Sequence, residues 1–282
     1  MENKTIESRR KYHSANYYIY FLLSTYLISI GVPAFIFFTF LRYLFIPYVL
    51  NVPNFLDLFL NQISLITLLF TPIVIIVCYL LHLFLIALIL KWFIKYTEKK
   101  EPFKDGIIPR EISSKPLKFY HIRSFIIKYP KWAILKSPFP WLTIKLFNFV
   151  GVNRMGKGST FEEQVTGDKY VNSGENCYFG LNSIITSHLV EGIRGNVQLF
   201  TINIGDNVTM TGLSCLAPGV KVGDNVAIFP NSGFTKQDHL KNNNYYLGIP
   251  GRKLFTKRVK QYTSLSEKQI GLKKKSKKEK EI

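Results

Sequence analysis

Acidic residues are scarce in this chain: 18 Asp and Glu stand against 37 Lys and Arg, a formal charge of +19. A nucleic-acid reader would place such an excess on its folded module, yet residues 150–251 carry seven basic against eight acidic side chains. The surplus lies on the flanks, thirteen to four over 91–149 and twelve to three over 252–282, so no nucleic-acid partner is expected. Cysteine is also rare. Cys78, Cys177 and Cys215 form no CxxC and give no disulfide framework. Five histidines, His13, His82, His121, His188 and His239, make no set at metal-ligand spacing, and no metal is predicted.

Charge is missing altogether from two long stretches. Tyr18 to Ile46 is almost wholly apolar or aromatic apart from Ser24, Ser29, Thr39 and Arg42, and Ile63 to Leu90 holds no charged residue. About 20 such residues cross a bilayer, so spans are predicted at about 18–46 and 63–90, with Pro33 a candidate kink in the first and a loop near 47–53. The first is too long for the apolar core of a cleaved signal peptide. Lys4, Arg9, Arg10 and Lys11 precede the first span, Lys91, Lys95, Lys99 and Lys100 follow the second, and the loop has no Lys or Arg. The positive-inside tendency then puts both termini in the cytoplasm. His82 falls inside the second span, either as a functional group or as a neutral imidazole facing the other helix.

Residues 101–149 combine Pro, Lys and aromatic residues, with Trp132 and Trp141 among Lys128, Lys131, Lys136 and Lys145. That composition suits a surface at the lipid headgroups. It also suits short helices covering the open end of a solenoid. Both are open on the sequence.

From 202 to 234 a pattern repeats every six residues. Ile204, Met210, Leu216, Val222, Ile228 and Phe234 take a large apolar position, and Val208, Ser214, Val220, Val226 and Ser232 a small or β-branched one. Six fits neither a helix nor a flat strand, but it fits a solenoid that turns a corner after each short strand. Gly205-Asp206-Asn207 and Gly223-Asp224-Asn225 fall where such corners need residues tolerant of positive φ. Upstream, Val165, Val171, Cys177 and Ser183 take the small position and Phe179 and Ile185 the large one, while Gly167 and Ser173 make that coil irregular. Between Ile185 and Ile202 the phase is lost, which marks an excursion of the kind where solenoids carry functional loops.

These hexads resemble the hexapeptide-repeat acyltransferases, whose fold is a left-handed parallel β-helix of triangular section. The likeness covers about residues 150–255. Leu247-Gly248-Ile249-Pro250-Gly251-Arg252-Lys253 is similar to the Gly-x-Pro-Ala-Lys segment that follows the coils in that family and lies beside the coenzyme A pantetheine arm; here Gly251 replaces the alanine and Arg252 the lysine. Ser187-His188-Leu189-Val190-Glu191, after irregular hexads, resembles the membrane-anchored β-helix domains at the ends of poly-lysine-type non-ribosomal peptide synthetases, which also follow transmembrane pairs. The resemblance implies His188 as the base, Glu191 as its partner or as a polar substrate contact, and Gly248, Pro250, Gly251 and Arg252 along the donor. It further implies an acyl-coenzyme A thioester as co-substrate and a homotrimer with active sites between subunits. Family members that hold zinc use three histidines, and of the five here only His188 belongs to the coils or their excursion.

The expected architecture is therefore mixed: a membrane anchor over 1–100 with two transmembrane α-helices, a basic aromatic interfacial region over 101–149, a left-handed parallel β-helix (a hexapeptide-repeat solenoid) over 150–255, and a basic cytoplasmic tail over 256–282. The tail suits anionic lipid at about 1 kcal/mol per basic residue. The expected function is transfer of an acyl or aminoacyl group from a thioester to a hydroxyl or amine of a membrane-associated acceptor. A scaffold without chemistry and a tailoring partner fed by a carrier-protein phosphopantetheine are the alternatives. The topology has its own test. An impermeant thiol reagent on intact cells is expected to label a cysteine placed within 47–57 and to leave Cys215 unlabelled; labelling of Cys215 from outside reverses the orientation.

Overall fold

The computed structural model describes residues 14–110, 114–162, 169–191 and 195–263. Val165, Gly167, the basic start of the chain and the tail from 264 lie outside the described residues. Two compact units are present, one of 1–101 with 118–137 and one of 102–117 with 138–282.

The first unit contains two helices long and apolar enough to cross a membrane, Ala15–Leu50 and Gln62–Lys100. Both exceed the predicted spans. At 1.5 Å per residue, 39 residues extend about 58 Å, well beyond a hydrocarbon layer of about 30 Å. Helix formation does not stop at Leu90 because Phe93, Ile94 and Thr97 continue the buried face, the four lysines and Glu98 between them are good helix formers, and Lys99 and Lys100 in the last turn face the negative end of the macrodipole. Asn61 starts this helix by accepting the N–H groups of Ile63 and Ser64 on Oδ1 at 2.9 and 3.5 Å. Arg123, buried on the helix Lys115–Ile126, donates from Nη1 to the Glu101 carbonyl at its other end, at 2.8 Å.

Proline does not break the first helix. Its turns widen to π geometry over Thr25–Ile30 and Leu41–Leu50, and Pro47, expected in the loop, lies inside the second of these. Pro33 has no N–H for the carbonyl four residues back, that of Ser29. His82 Nδ1 of the second helix meets that carbonyl at 2.8 Å. A carbonyl can only accept, so Nδ1 carries the proton. The inter-helix role of His82 thus holds, as a donor to a buried carbonyl that Pro33 cannot serve. Leu27, Phe35 and Leu60 are more than 70 % exposed, a surface suited to lipid rather than water.

Residues 101–149 do not form one region. The strand Gly106–Ile108 and the helix Leu142–Val150 belong to the solenoid's unit, whereas 118–137, including most of Lys115–Ile126 and all of Lys128–Leu135, belong with the long helices. Of the two expectations for this stretch, the helical cover over the open end of the solenoid is present. Trp132 and Trp141 are about 60 % exposed, and Leu142–Val150 covers the first coil. Phe147 sits over Phe161, which stacks on Phe179. Asn148 donates to the Met155 carbonyl at 2.8 Å and accepts its N–H at 2.7 Å, completing the edge as a further strand would.

The second unit is a parallel β-solenoid of three faces. Strands Arg154–Met155, Val171–Ser173, Ile202–Ile204, Lys221–Val222 and His239–Leu240 form one face, so His239, expected beyond the coils, belongs to them because the 18-residue register continues past Phe234 and pairs it with Lys221. Thr160–Phe161, Tyr178–Phe179, Thr209–Met210, Ala227–Ile228 and Tyr245–Leu247 form the second, closed by antiparallel Arg252–Lys253. Ile184–Ile185, Cys215–Leu216 and Gly233–Phe234 form the third. The regular coils take 18 residues, six per face, so equivalent side chains stack. All six large and all five small positions of 202–234 are buried. The same register reaches back to Met155 and Ser159, a first coil that the sequence pattern did not reveal because Gly and polar residues interrupt it.

Corners divide the work between Gly and Asn. Asn176, Asn207, Asn225 and Asn243 have φ near +55, whereas Gly205 and Gly223 do not have positive φ. Those glycines are needed for space: a Cβ on Gly205 would stand 2.2 Å from Asp224 Oδ1, and one on Gly223 1.9 Å from Asn242 Oδ1. The close approach lets the side chains form ladders. Asp206 N–H donates to Asp224 Oδ1 at 2.9 Å, and Asn207 to Asn225 and Asn225 to Asn243 at 3.0 Å.

Val222→Asp is expected to unfold this unit, since an unpaired inward charge costs several kcal/mol. Asp224→Ser, which removes one rung of a half-exposed ladder, should cost about 1 kcal/mol. Thermal melting and limited proteolysis distinguish them; equal resistance of both variants and the parent would show the register to be wrong.

Candidate functional site

One coil is longer than the rest. Tyr178 and Thr209 pair across neighbouring coils although 31 residues apart, where other coils repeat at 18. The extra chain leaves the third face after Ile184–Ile185 and forms an antiparallel hairpin, His188–Glu191 with Asn196–Leu199. Gly106–Ile108 adds a third strand. Asp105 fastens the base of this small sheet, accepting Thr201 N–H and Oγ1 at 3.0 and 2.9 Å. Val197 and Leu199 are buried under it, while His188, Leu189 and Val190 are exposed.

His188 opens the hairpin. Its Nδ1 lies 3.1 Å from Thr186 Oγ1, and that hydroxyl is 2.8 Å from the His188 carbonyl. A hydroxyl has one hydrogen, and the carbonyl can only accept it. Nδ1 is then the donor to Oγ1, which places the basic lone pair on Nε2.

Glu191 is placed elsewhere. Three residues along a strand put it on the opposite face from His188. Its carboxylate takes Lys236 Nζ at 2.7 Å and Gln198 Nε2 at 2.6 Å. The structure therefore pairs Glu191 with Lys236 and Gln198 rather than with the imidazole. Lys236 follows Gly233–Phe234, so this contact holds the hairpin along the corner beside the third face. Neither Thr186 nor Lys236 emerges from the sequence reading. A hydroxyl two residues before a histidine is a local signal for the first, but the second is 45 residues from Glu191.

Gly248, Pro250 and Gly251 continue the third face. Gly233 N–H donates to the Gly248 carbonyl at 3.0 Å, and Gly251 N–H to the Gly233 carbonyl at 2.6 Å. Gly248 has φ +98. A Cβ on Gly251 would lie 2.2 Å from Phe234 Cε1, which explains glycine where the resemblance has alanine. Arg252 and Lys253 are exposed on the last strand. His188 and Gly248–Gly251 do not meet; they flank the same face at its two ends, three layers or about 14 Å apart. The outward side chains between them are small or apolar: Ile184, half-buried Cys215 and Gly233, beside which Ile249 rests.

Burial pushes the thiols of Cys177 and Cys215 above their usual range, so neither is a ready thiolate nucleophile. Among the described residues no group of three or more His, Cys, Asp or Glu could hold a metal ion.

No protein-family model matches the chain, and no curated protein matches its sequence. It is similar in structure to a hexapeptide-repeat acetyltransferase of Vibrio cholerae O1 biovar eltor complexed with acetyl coenzyme A (16% identity, 44% of this chain and 81% of that one, TM-score 0.35). It is also similar to the N-acyltransferase AntD of Bacillus cereus in complex with dTDP and 3-hydroxybutyryl-CoA (14%, 41% and 79%, 0.32). A maltose O-acetyltransferase of Clostridium difficile 630 shares 16% identity over 60% of this chain and 86% of that one, with a TM-score of 0.30.

Lys236→Ala should loosen the hairpin without unfolding the coils. Hydrogen exchange is expected to quicken on the order of tenfold at 188–199 and to stay unchanged at 202–234. Unchanged exchange at the hairpin would show that the Glu191–Lys236 pair does not hold it.

Proposed function

We propose that the chain is a membrane-bound acyltransferase that moves an acyl or aminoacyl group from an acyl-coenzyme A thioester to a hydroxyl or amine of a membrane-associated acceptor. The two long helices cross the bilayer, both termini and the solenoid are cytoplasmic, and the coil is left-handed. The assembly is a homotrimer in which His188 of one subunit faces the coil wall of another. The observation that carries the reading is the break in the 18-residue repeat, which presents an exposed imidazole, with Nδ1 engaged by Thr186, at one end of an apolar face.

His188 Nε2 takes the proton of the acceptor hydroxyl or amine as its oxygen or nitrogen attacks the thioester carbonyl. Collapse of the tetrahedral adduct breaks the C–S bond, and the leaving thiolate takes the proton back from the imidazolium. Thr186 Oγ1 holds the ring in the useful tautomer, the role that a carboxylate has in other bases of this type. Glu191 positions the hairpin through Lys236 and offers a polar contact to the substrate. The pantetheine arm runs along Ile184, Cys215 and Gly233 to Gly248, Pro250 and Gly251. Arg252 and the nearby basic side chains meet the donor's phosphates. The same exposed cations would suit an acidic carrier protein, the second source of a phosphopantetheine thioester.

His188→Ala should lower thioester consumption by about 10²–10⁴ with melting temperature unchanged, since that is the usual contribution of a general base. Arg252→Ala should raise KM for the donor with little change in kcat. The assay is thiol release in nanodiscs. A folded His188→Ala protein with parental turnover removes the base from this residue, and a parent that consumes no thioester with any acceptor makes the solenoid a scaffold.

A further inference from the structure

The loop end of the two-helix unit holds a cavity of about 480 Å³ between Pro47 and Ser64. That is within the range of about 300–1,000 Å³ that encloses a small ligand. Tyr48, Asn51, Asp57, Asn61 and Ser64 give it five polar linings. Asp57 is the one charged side chain between Arg42 and Lys91. Ser64 is 1 % exposed, and its Oγ has no hydrogen-bond partner. A helical serine ordinarily returns its hydroxyl to the carbonyl four residues back, but this helix begins only at Gln62. An orphaned buried hydroxyl is destabilising, and a ligand acceptor would remove that cost.

The polar groups divide by sign. Asn61 uses its carboxamide oxygen to cap the helix, which leaves its NH₂ group to donate. That group and the Ser64 hydroxyl stand at a helix N-terminus, where anions are favoured. Asp57 accepts from Asn54 Nδ2 at 3.3 Å and offers further acceptor capacity to a cation. We propose that this cavity binds a phosphoethanolamine headgroup, with the phosphate oxygens on Ser64 and Asn61 and the primary ammonium on Asp57. The chemistry excludes two near relatives. Choline carries the charge but no N–H to donate to Asp57, and glycerol phosphate brings an anion beside Asp57 with no cation to offset it.

The lipid as source rests on the membrane reading above; the recognition chemistry does not. Full-length protein in detergent is offered phosphatidylethanolamine, phosphatidylcholine and phosphatidylglycerol of the same acyl chains, and retention is read by native mass spectrometry. Phosphatidylethanolamine should be retained about tenfold over either of the others, as expected for one charge-assisted hydrogen bond. Asp57→Asn should abolish the preference, and Ser64→Ala should weaken retention of the ethanolamine lipid. Thioester turnover should be unaffected by Asp57→Asn. Competition by free O-phosphoethanolamine would assign the affinity to the headgroup alone, and its failure with lipid still retained would assign part of it to the acyl chains. Equal retention of the three lipids, or an Asp57→Asn variant that keeps the preference, overturns the site. Carbonate extraction of native membranes tests the other premise: a chain that washes out contradicts the membrane reading, whatever the lipid result.

Discussion

Stacking at a fixed interval of 18 residues is the constraint on which the solenoid depends. Each coil hides one small and one large side chain per face, and each sits on its equivalent in the next coil, so a residue's tolerance is set by the coils above and below. Ile204 over Val222 and Met210 over Ile228 are contacts of that kind. The close approach that makes them possible also dictates the corners: glycine where a neighbouring side chain leaves no space for Cβ, and asparagine where the backbone turns left-handed. An insertion can then enter only at a corner and must leave the stack, which is how the hairpin arises. The proposed function uses that position because the hairpin frees His188 from the repeat.

The helical unit answers a different constraint, the pairing of backbone polar groups where proline interrupts the helical ladder. Pro33 removes one donor from the first helix, and His82 of the second supplies another to the Ser29 carbonyl. His82 is thereby part of helix association, the second of the two readings its sequence position allows. At the loop end the Ser64 hydroxyl lacks a partner and lines a cavity, whereas Thr25, whose buried hydroxyl also lacks one, does not line it.

The six-residue pattern was legible because burial in a solenoid depends on local spacing, and every large position named from 204 to 234 is buried. His188 was legible for the same reason, as a residue at the loss of phase. What stayed hidden depends on contacts distant in sequence. Lys236 reaches Glu191 only through the return of the chain by more than one coil, and Asp105 reaches Thr201 across 96 residues. The register of the first coil was not legible because Gly156 and Gly158 have no side chain to mark it, although a Cβ on either would collide with the next coil. Helix ends were misjudged for another reason: the apolar run ends at Leu90, but helix propensity continues through the lysines to Lys100.

The central claim is that the break in the repeat, and not the repeat itself, carries the chemistry. Deleting residues 188–200 shortens the long coil from 31 to 18 residues and returns Ile202 to the small inward position six after Ser183. Thiol release from acyl-coenzyme A by the deleted protein, measured beside its melting curve, tests the claim most directly. The account predicts a folded solenoid whose thioester turnover has fallen to background; turnover retained at the parental rate by a folded deletion protein would contradict it.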